Sequence, residues 1–333
     1  MRNFLKKALY AVSCLCLAAG ASAASAQTQV RIGSSVHSIF ALPIYYADQK
    51  GLFKEEGLDV KVSFFAGGPP AVAALLGGSV DFIAASLENQ MKVNKRGEDI
   101  RSVMTVQADF SGALAVREEV VRKLGRKPTI ADMKGLRIGT LSRGGYADMA
   151  ARYLLQTAGV EPDKDATLIP IRGFDKVLAA GEAGSIDAAL LVEPWPTLAV
   201  EGSKTWAYVV DMASGEGPDV FQDMGYLTFQ TTGATLQERP DVVSKVVRAM
   251  ARAMAVARDP ARLDELVEVA LVEFPNFKVE ELRRSIEKQQ HSFRPALTPQ
   301  MITKNMELLL ANDAITQPAP TQAEAFAEGM APL

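Results

Sequence analysis

Cysteine and histidine are scarce in this chain. Among its 333 residues, the two cysteines are Cys14 and Cys16 and the two histidines are His37 and His291. Both cysteines lie in a segment that we expect to be removed, so the mature protein should have neither a disulfide nor a thiol nucleophile. With two histidines, a zinc site would have to rely on carboxylates. We therefore expect no metal ion and no cofactor.

Long apolar runs are missing after residue 26, where no stretch reaches the about 18 uninterrupted apolar residues of a membrane-spanning helix. The first 26 residues have the three parts of a signal peptide. These parts are a basic start with Arg2, Lys6 and Lys7, an apolar core at 8–17, and Ala-Ser-Ala at 24–26. We predict cleavage after Ala26 and a periplasmic protein that is not inserted in the membrane. A lipid anchor at Cys14 is the alternative, although residues 11–13 lack the leucine that usually precedes such a cysteine.

An excess of positive charge is also missing. The chain has 36 Lys and Arg against 39 Asp and Glu, a formal net charge of −3. Removal of the basic signal peptide makes the mature chain still more acidic. This balance argues against nucleic acid or an anionic membrane as a partner.

Motifs of nucleotide binding and hydrolysis are not found either. There is no G-x-G-x-x-G, and the turn Gly67-Gly68-Pro69-Pro70 lacks the lysine of a nucleotide P-loop. No G-x-S-x-G elbow occurs, and Ser142 misses that spacing by one residue. We therefore do not expect an enzyme.

Short apolar strands alternate with helices through the first two thirds of the chain. They form two series, and the second begins after about residue 117. The predicted strands are 30–33, 59–64 and 80–84 in the first series, and 136–140, 166–171, 188–192 and 206–211 in the second. From Pro240 onward, apolar residues recur at helical spacing. Alternating strands and helices imply parallel pairing, so we predict an α/β fold with helices on the sheet faces.

Polar loops follow several of these strands and lead into helices. Ligands of open α/β sheets bind beyond the carboxyl ends of the strands, where such loops lie. The turn at 142–145 offers helix-start amides beside the guanidinium of Arg143, which favours an anion. Trp195 follows the strand 188–192 and is placed to stack on a ligand. Ordinary turns and a core position for Trp195 are the alternative interpretations, and Asp187 is interpreted as a structural hydrogen-bonding residue.

Two phrases of the sequence resemble a known family. The first is A-x-x-x-G-x-F-x-x-x-G-L-x-V, formed by Ala47, Gly51, Phe53, Gly57, Leu58 and Val60. The second is D-A-x-x-x-x-E-P at 187–194. With the predicted signal peptide, the chain resembles the substrate-binding proteins of ABC importers for nitrate, taurine, alkanesulfonates and thiamine precursors.

The resemblance implies a type II periplasmic-binding fold, in which two α/β lobes close on a solute and C-terminal helices pack on lobe one. By position, the chain would cross between the lobes near 116–119 and 226–229. Lobe one would then contain 27–116 and 226–333, and lobe two 117–225. Ligand contacts would come from helix-start loops of both lobes. In this chain these are Ser35, His37, Phe40, Gly67, Gly68 and Ser86 of lobe one, and Ser142, Arg143, Gly144 and Trp195 of lobe two.

The function that this resemblance implies is capture of a small organic solute and its delivery to an inner-membrane ABC permease. Arg143 and the amides beside it indicate an anionic head group, such as a sulfonate or carboxylate. We expect a monomer. An exported sensor domain or an exported enzyme on the same scaffold remain alternatives. A more distant alternative is the pyrimidine synthase of thiamine biosynthesis, which shares the fold, although this chain lacks the cysteine-rich motif expected of that enzyme.

Overall fold

The structure, a computed structural model, describes residues 27–327, and the predicted signal peptide lies outside this range. Ten strands are present in the described part of the chain. They are β1 (Thr28–Ser34), β2 (Leu58–Phe64), β3 (Phe82–Ser86), β4 (Ile100–Gln107), β5 (Gly112–Arg117), β6 (Arg137–Thr140), β7 (Thr167–Pro170), β8 (Ala188–Val192), β9 (Trp206–Asp211) and β10 (Leu227–Thr232). The strands predicted at 188–192 and 206–211 match β8 and β9 at both ends.

The strands form two five-stranded sheets of similar design. The order is β2-β1-β3-β10-β4 in the first sheet and β7-β6-β8-β5-β9 in the second. In each sheet the three strands on one side are parallel, whereas β10 and β5 run antiparallel to both of their neighbours. We call the first sheet with its helices lobe one and the second sheet with its helices lobe two. The predicted α/β fold with two lobes is confirmed.

Helices cover both sheets. Those of the first two thirds are α1 (Leu42–Gln49), α2 (Leu52–Glu55), α3 (Gly68–Leu76), α4 (Leu87–Asn94), α5 (Glu118–Leu124), α6 (Tyr146–Thr157) and α7 (Phe174–Glu182). The C-terminal helices are α8 (Gly233–Glu238), α9 (Pro240–Ala257), α10 (Leu263–Glu273), α11 (Val279–Glu287), α12 (Pro299–Ala311) and α13 (Gln322–Ala325). Across residues 27–327, no helix is both long enough and apolar enough to cross a bilayer.

The family phrase at residues 47–60 has a clear structural basis. Gly51 links α1 to α2 and Gly57 precedes β2, and both have a left-handed backbone with φ of 75° and 74°. Such a backbone strains any residue that has a Cβ, so glycine is required at both turns. Phe53 and Leu58 are buried at 1% and 0% exposure. The phrase therefore encodes two tight turns that attach this helix pair to the sheet.

The chain passes from one sheet to the other twice. It leaves lobe one after Gln107 and enters lobe two at Gly112, and it returns between Asp211 and Leu227. The first crossing therefore lies ahead of the predicted position at 116–119, because β5 pairs with β8 and β9 of the second sheet. The return also precedes most of the predicted segment 226–229, which lies largely in β10. The strands β4 and β5 are both largely buried and nearly continuous in sequence, so their burial does not show that they belong to different sheets.

The C-terminal helices pack on lobe one, and two of them also reach lobe two. Helices α9 and α10 lie against α1, whereas α11 packs on α10 and on the π-helix Thr197–Gly202 of lobe two. Helix α12 contacts α4 of lobe one and α6 of lobe two. At this second contact, the hydroxyl of Tyr153 donates to Glu307 at 2.6 Å.

Each lobe contains the same arginine–aspartate clamp at the start of its central strands. In lobe one, the backbone N–H and guanidinium of Arg31 donate to Asp81. In lobe two, Arg137 makes the same contacts with Asp187 at 2.8–3.0 Å. Asp187 is thus a structural hydrogen-bonding residue, as predicted, and its pKa is lowered by the hydrogen bonds from Arg137.

Candidate ligand-binding cleft

A small cavity lies between the lobes, beyond the carboxyl ends of β1, β3, β6 and β8. Its volume is about 20 Å³, which is room for about one water molecule. Lobe one and the returning chain contribute Ser35, Val36, Gly67, Gly68, Ser86 and Tyr226 to its lining, and lobe two contributes Leu141, Ser142, Tyr146, Ala147, Phe174 and Val192. The lining thus presents serine and tyrosine hydroxyls and no charged side chain.

Three helices begin at this cavity. Helix α3 begins at Gly68, α4 follows Ser86, and α6 begins at Tyr146. The first amides of an α-helix have no partner within the helix and lie at the positive end of its dipole. Amides of this kind favour an anionic group.

The two lobes approach each other closely at Gly67 and Ser142. A Cβ added to Gly67 would lie 2.9 Å from Ser142 Oγ, and Gly67 also has a φ of +110°. Both the space and the backbone conformation therefore require glycine here. This narrow contact closes one side of the cavity.

A buried polar cluster supports the wall formed by Ser86. The Ser86 hydroxyl donates to Glu88 Oε1 at 3.1 Å, and Asn89 Nδ2 donates to Ser86 Oγ at 2.7 Å and to Glu88 Oε1 at 2.8 Å. Because its proton is directed to Glu88, Ser86 presents an acceptor lone pair to the cavity. Glu88 has no exposed surface, and burial raises the pKa of its carboxyl despite the ammonium of Lys92 at 3.0 Å from Oε2.

Tyr146 and Tyr226 form an aromatic wall. Their ring centroids are 4.7 Å apart, and the ring of Phe110 lies 4.6 and 4.9 Å from them. Burial raises the pKa of both phenols well above the ordinary value, and the nearby Glu88 adds to this effect. Both hydroxyls are therefore protonated at neutral pH, and that of Tyr146 donates to Met224 Sδ.

Five of the ten predicted ligand contacts line the cavity. They are Ser35, Gly67, Gly68, Ser86 and Ser142. Sequence reasoning found them because each lies at a strand end, at a helix start or in the loop between the two. Their contact with a ligand stays a prediction.

Arg143 and Gly144 were predicted at the ligand but lie outside the cavity. The guanidinium of Arg143 pairs with Asp163, and 70% of the side chain is exposed. The N–H of Gly144 donates to Asp148 Oδ2 at 3.0 Å, and its carbonyl accepts from Lys92. Gly144 therefore contributes to the contact between the lobes.

The three predicted aromatic contacts also lie away from the cavity. His37 stacks on Phe274 with centroids 4.7 Å apart, at the surface of lobe one. Phe40 is fully buried, 5.1 Å from the ring of Tyr226, so it supports the aromatic wall from behind. Trp195 packs edge-on against Phe277 at 5.1 Å. An aromatic residue near a strand end was thus as compatible with packing as with a ligand contact.

Sequence reasoning missed the two tyrosines, Tyr146 and Tyr226. Tyr146 directly follows the turn at 142–145, so its place at the start of α6 was a signal that could have been used. Tyr226 precedes β10, and only the path of the returning chain brings it to the cavity.

A buried charge cluster lies where lobe two meets α11. Lys288 Nζ contacts Glu201 Oε1 at 2.7 Å and Asp211 Oδ2 at 3.1 Å, and Glu193 Oε1 lies 3.9 Å away. Burial raises the pKa of Glu193 to about 7, and Lys288 opposes this shift. The backbone carbonyl of Glu193 accepts from Ile39 N–H of lobe one at 3.2 Å, so this residue contacts both lobes. No group of acidic, histidine or cysteine side chains within residues 27–327 is arranged to hold a metal ion.

Comparison with known proteins finds relatives of this chain in sequence and in structure. YtlA of Bacillus subtilis, whose name describes a binding protein, is 29% identical over 287 residues, which are 85% of this chain and 81% of YtlA. A solved structure from Bordetella bronchiseptica RB50 is 21% identical with a TM-score of 0.79, over 91% of this chain and 96% of the other. The alkanesulfonate-binding protein SsuA from Xanthomonas axonopodis pv. citri, bound to MOPS, is 18% identical with a TM-score of 0.73 and covers 91% and 99%.

A family model establishes the relationship over most of the chain. The model of the NMT1-like family matches residues 23–271. The solved structures share the fold, and the resemblance to nitrate- and sulfonate-binding proteins that the sequence phrases indicated is confirmed. The chain therefore belongs to the NMT1-like family.

Proposed function

We propose that this protein is the solute-binding component of an ABC importer. It captures a small organic solute between its lobes in the periplasm and presents the closed form to a permease in the inner membrane. The observation that carries this proposal is a cavity that is lined from both lobes by helix starts and by hydroxyl-bearing side chains. A ligand held there contacts both lobes at once, so it binds the closed form more tightly and shifts the population toward closure.

The solute carries an anionic group. Three helices begin at the cavity, and Ser35, Ser142 and Tyr226 bring hydroxyl groups to its lining, so amides and hydroxyls can satisfy an oxyanion without a cationic side chain. In this respect the proposal differs from the expectation based on Arg143, because the anion is held by helix amides. The sulfonate bound by the related SsuA is consistent with this class of ligand.

The segments 108–111 and 212–226 act as the hinge. Lobe two then corresponds to the strands and helices between these crossings, and the remaining described residues form lobe one. Opening at the hinge is needed for entry, because the closed cavity has a volume of only about 20 Å³.

Isothermal titration of the mature protein tests the proposal. The panel contains MOPS, short alkanesulfonates, nitrate and short carboxylates, with an alkylammonium salt as the cationic control. We expect micromolar or tighter binding of at least one anion and none of the cation. Binding of the cation in preference to every anion would contradict the anionic assignment.

Recovery of the ligand separates capture from catalysis. The bound compound is released by denaturing the protein after prolonged incubation and is identified by mass spectrometry. A solute-binding protein returns it unchanged, whereas turnover would show an enzyme on the same scaffold. Transport of the compound that is lost on deletion of the protein, and restored by its return, would distinguish an importer component from a sensor.

A further inference from the structure

Lys92 connects the two lobes beside the cavity. Its ammonium lies 3.0 Å from Glu88 Oε2 in lobe one and donates to the carbonyl of Gly144 in lobe two at 3.0 Å. Its side chain is 15% exposed, so the contact is largely shielded from water. Lys92 and Glu88 are one helical turn apart on α4, whereas Gly144 is separated from Lys92 by 52 residues.

The partner on lobe two belongs to the loop that leads into the cavity-lining helix α6. Asp148 holds this loop from within lobe two, because it accepts from Gly144 N–H at 3.0 Å and pairs with Arg152 at 2.9 Å. Lys92 holds the same peptide segment from the opposite side. The two contacts together fix the position of the first amides of α6 relative to lobe one.

Resting on the proposed function, we infer that Lys92 is a positioning residue that stabilises the closed form and sets the rate of solute release. The Lys92–Gly144 hydrogen bond exists when the lobes are together and is lost when they separate, whereas the Lys92–Glu88 pair lies within α4 and persists. A charge-assisted hydrogen bond of this kind favours closure by about tenfold in the equilibrium between closed and open forms. Loss of Lys92 therefore speeds dissociation of the solute, and because the solute enters the open form it does not slow association.

The distance between the lobes provides a test that needs no ligand. The mature protein is expected to have no cysteine of its own, so spin labels can be placed at Lys61→Cys in lobe one and Glu182→Cys in lobe two, both exposed positions. Double electron–electron resonance then measures the closed fraction of unliganded protein. We expect Lys92→Met to lower the ratio of closed to open protein about tenfold, and Lys92→Arg to restore part of it.

The matched control is Lys95→Met. Lys95 also donates to a backbone carbonyl, that of Pro318, but this contact does not involve lobe two. We expect the control to keep the wild-type distance distribution. Circular dichroism melts of both variants check that the lobes remain folded.

The inference is overturned if Lys92→Met and wild type have the same distances, or if wild type shows no short-distance population. Failure of the whole solute panel to bind would instead contradict the proposed function and leave this comparison valid. For a panel member that does bind, stopped-flow kinetics should show an about tenfold faster dissociation in Lys92→Met. An equal loss in the association rate would contradict a role in release.

Discussion

The guanidinium of Arg143 pairs with the carboxylate of Asp163 in the same lobe at 3.2 Å, and neither residue lines the cavity. Arg152 Nη1 contacts the same carboxylate at 2.8 Å. Arg143 therefore belongs to a surface charge network of lobe two, although its sequence position beside a helix start suggested an anion contact.

Arg143→Ala should leave solute affinity within about twofold of wild type, since exposed ion pairs contribute little and this one does not reach the cavity. Tyr226→Phe is the contrasting variant, because it removes the hydroxyl of a side chain that lines the cavity. We expect it to weaken affinity by about tenfold. Isothermal titration with the tightest anion of the panel measures the affinity of both variants. A larger loss of affinity in Arg143→Ala than in Tyr226→Phe would show that the guanidinium contacts the ligand.

Gly68→Ala should destabilise the protein by about 1–3 kcal/mol, the usual cost of overpacking. The new Cβ would lie 2.0 Å from Asn89 Nδ2, which would have to leave Ser86 and Glu88. Gly77→Ala at the end of the same helix is the control, because its Cβ would meet a single backbone oxygen at 3.1 Å. Urea unfolding compares the two variants. Equal free energies of unfolding would show that the Asn89 cluster adapts without cost.

Glu193→Gln should change how stability depends on pH. The pKa of Glu193 is raised to about 7 from an ordinary 4.5, so the native state favours the protonated form. The stability that this preference provides is complete below pH 4.5 and is lost as the pH rises through 7. Glutamine carries no charge at any of these pH values. The variant should therefore gain stability relative to wild type between these pH values, by on the order of 3 kcal/mol.

Urea unfolding at several pH values measures this difference. Glu201→Gln is the matched control, because Glu201 also contacts Lys288 but has a lowered pKa. The stability that ionised Glu201 provides is lost only as the pH falls below 4.5, its ordinary pKa. From pH 5 to 7, the free energy of unfolding of Glu201→Gln should therefore change with pH nearly in parallel with that of wild type. If the free energies of unfolding of wild type and Glu193→Gln changed in parallel with pH, Glu193 would not have the raised pKa.

Asp187→Asn should destabilise the protein by about 1–2 kcal/mol at pH 7, because it removes the charge from the clamp around Arg137. The lowered pKa of Asp187 means that its contribution is present above its ordinary value of 3.8 and is lost as the pH falls below it. The difference in the free energy of unfolding between Asp187→Asn and wild type should therefore become smaller in acid. Asp81→Asn makes the equivalent change in lobe one, where Asp81 also pairs with Arg239. Chemical denaturation at pH 7 and near pH 3 measures the stability of both variants. If Asp187→Asn were destabilised equally at the two pH values, the lost charge would not be the cause of the destabilisation.

The architecture was predictable because its signals are local. The phrase at residues 47–60 encodes α1, α2 and β2 through turns that only glycine satisfies, and the apolar run at 188–192 coincides with β8. The predicted position of the first crossing, at 116–119, lies one strand after the observed crossing between β4 and β5. Strands β4 and β5 are both largely buried, and their membership of different sheets depends on distant partners.

The site was only half predictable, since a sequence identifies the loops but not the direction of each side chain. Ser35, Ser86 and Ser142 are short, so a loop at the cavity suffices to place them in its lining. The longer side chains of Arg143 and Trp195 turn toward Asp163 and Phe277, partners that lie far along the chain or in another element. Tyr226 enters the lining by way of the returning chain, which no local pattern encodes.

The small volume of the closed cavity has a kinetic consequence. A space of about 20 Å³ has no room for an organic solute, so the lobes must separate for entry, and the lining side chains must shift when the lobes close on the solute. The observed rate of binding should then rise with solute concentration and level off at the opening rate, which is the same for every solute. The measured dissociation constant also includes the free energy of opening, so a weak overall affinity can accompany strong contacts in the closed form. Changes at the hinge segments can therefore tune uptake across all solutes without altering which solute is chosen.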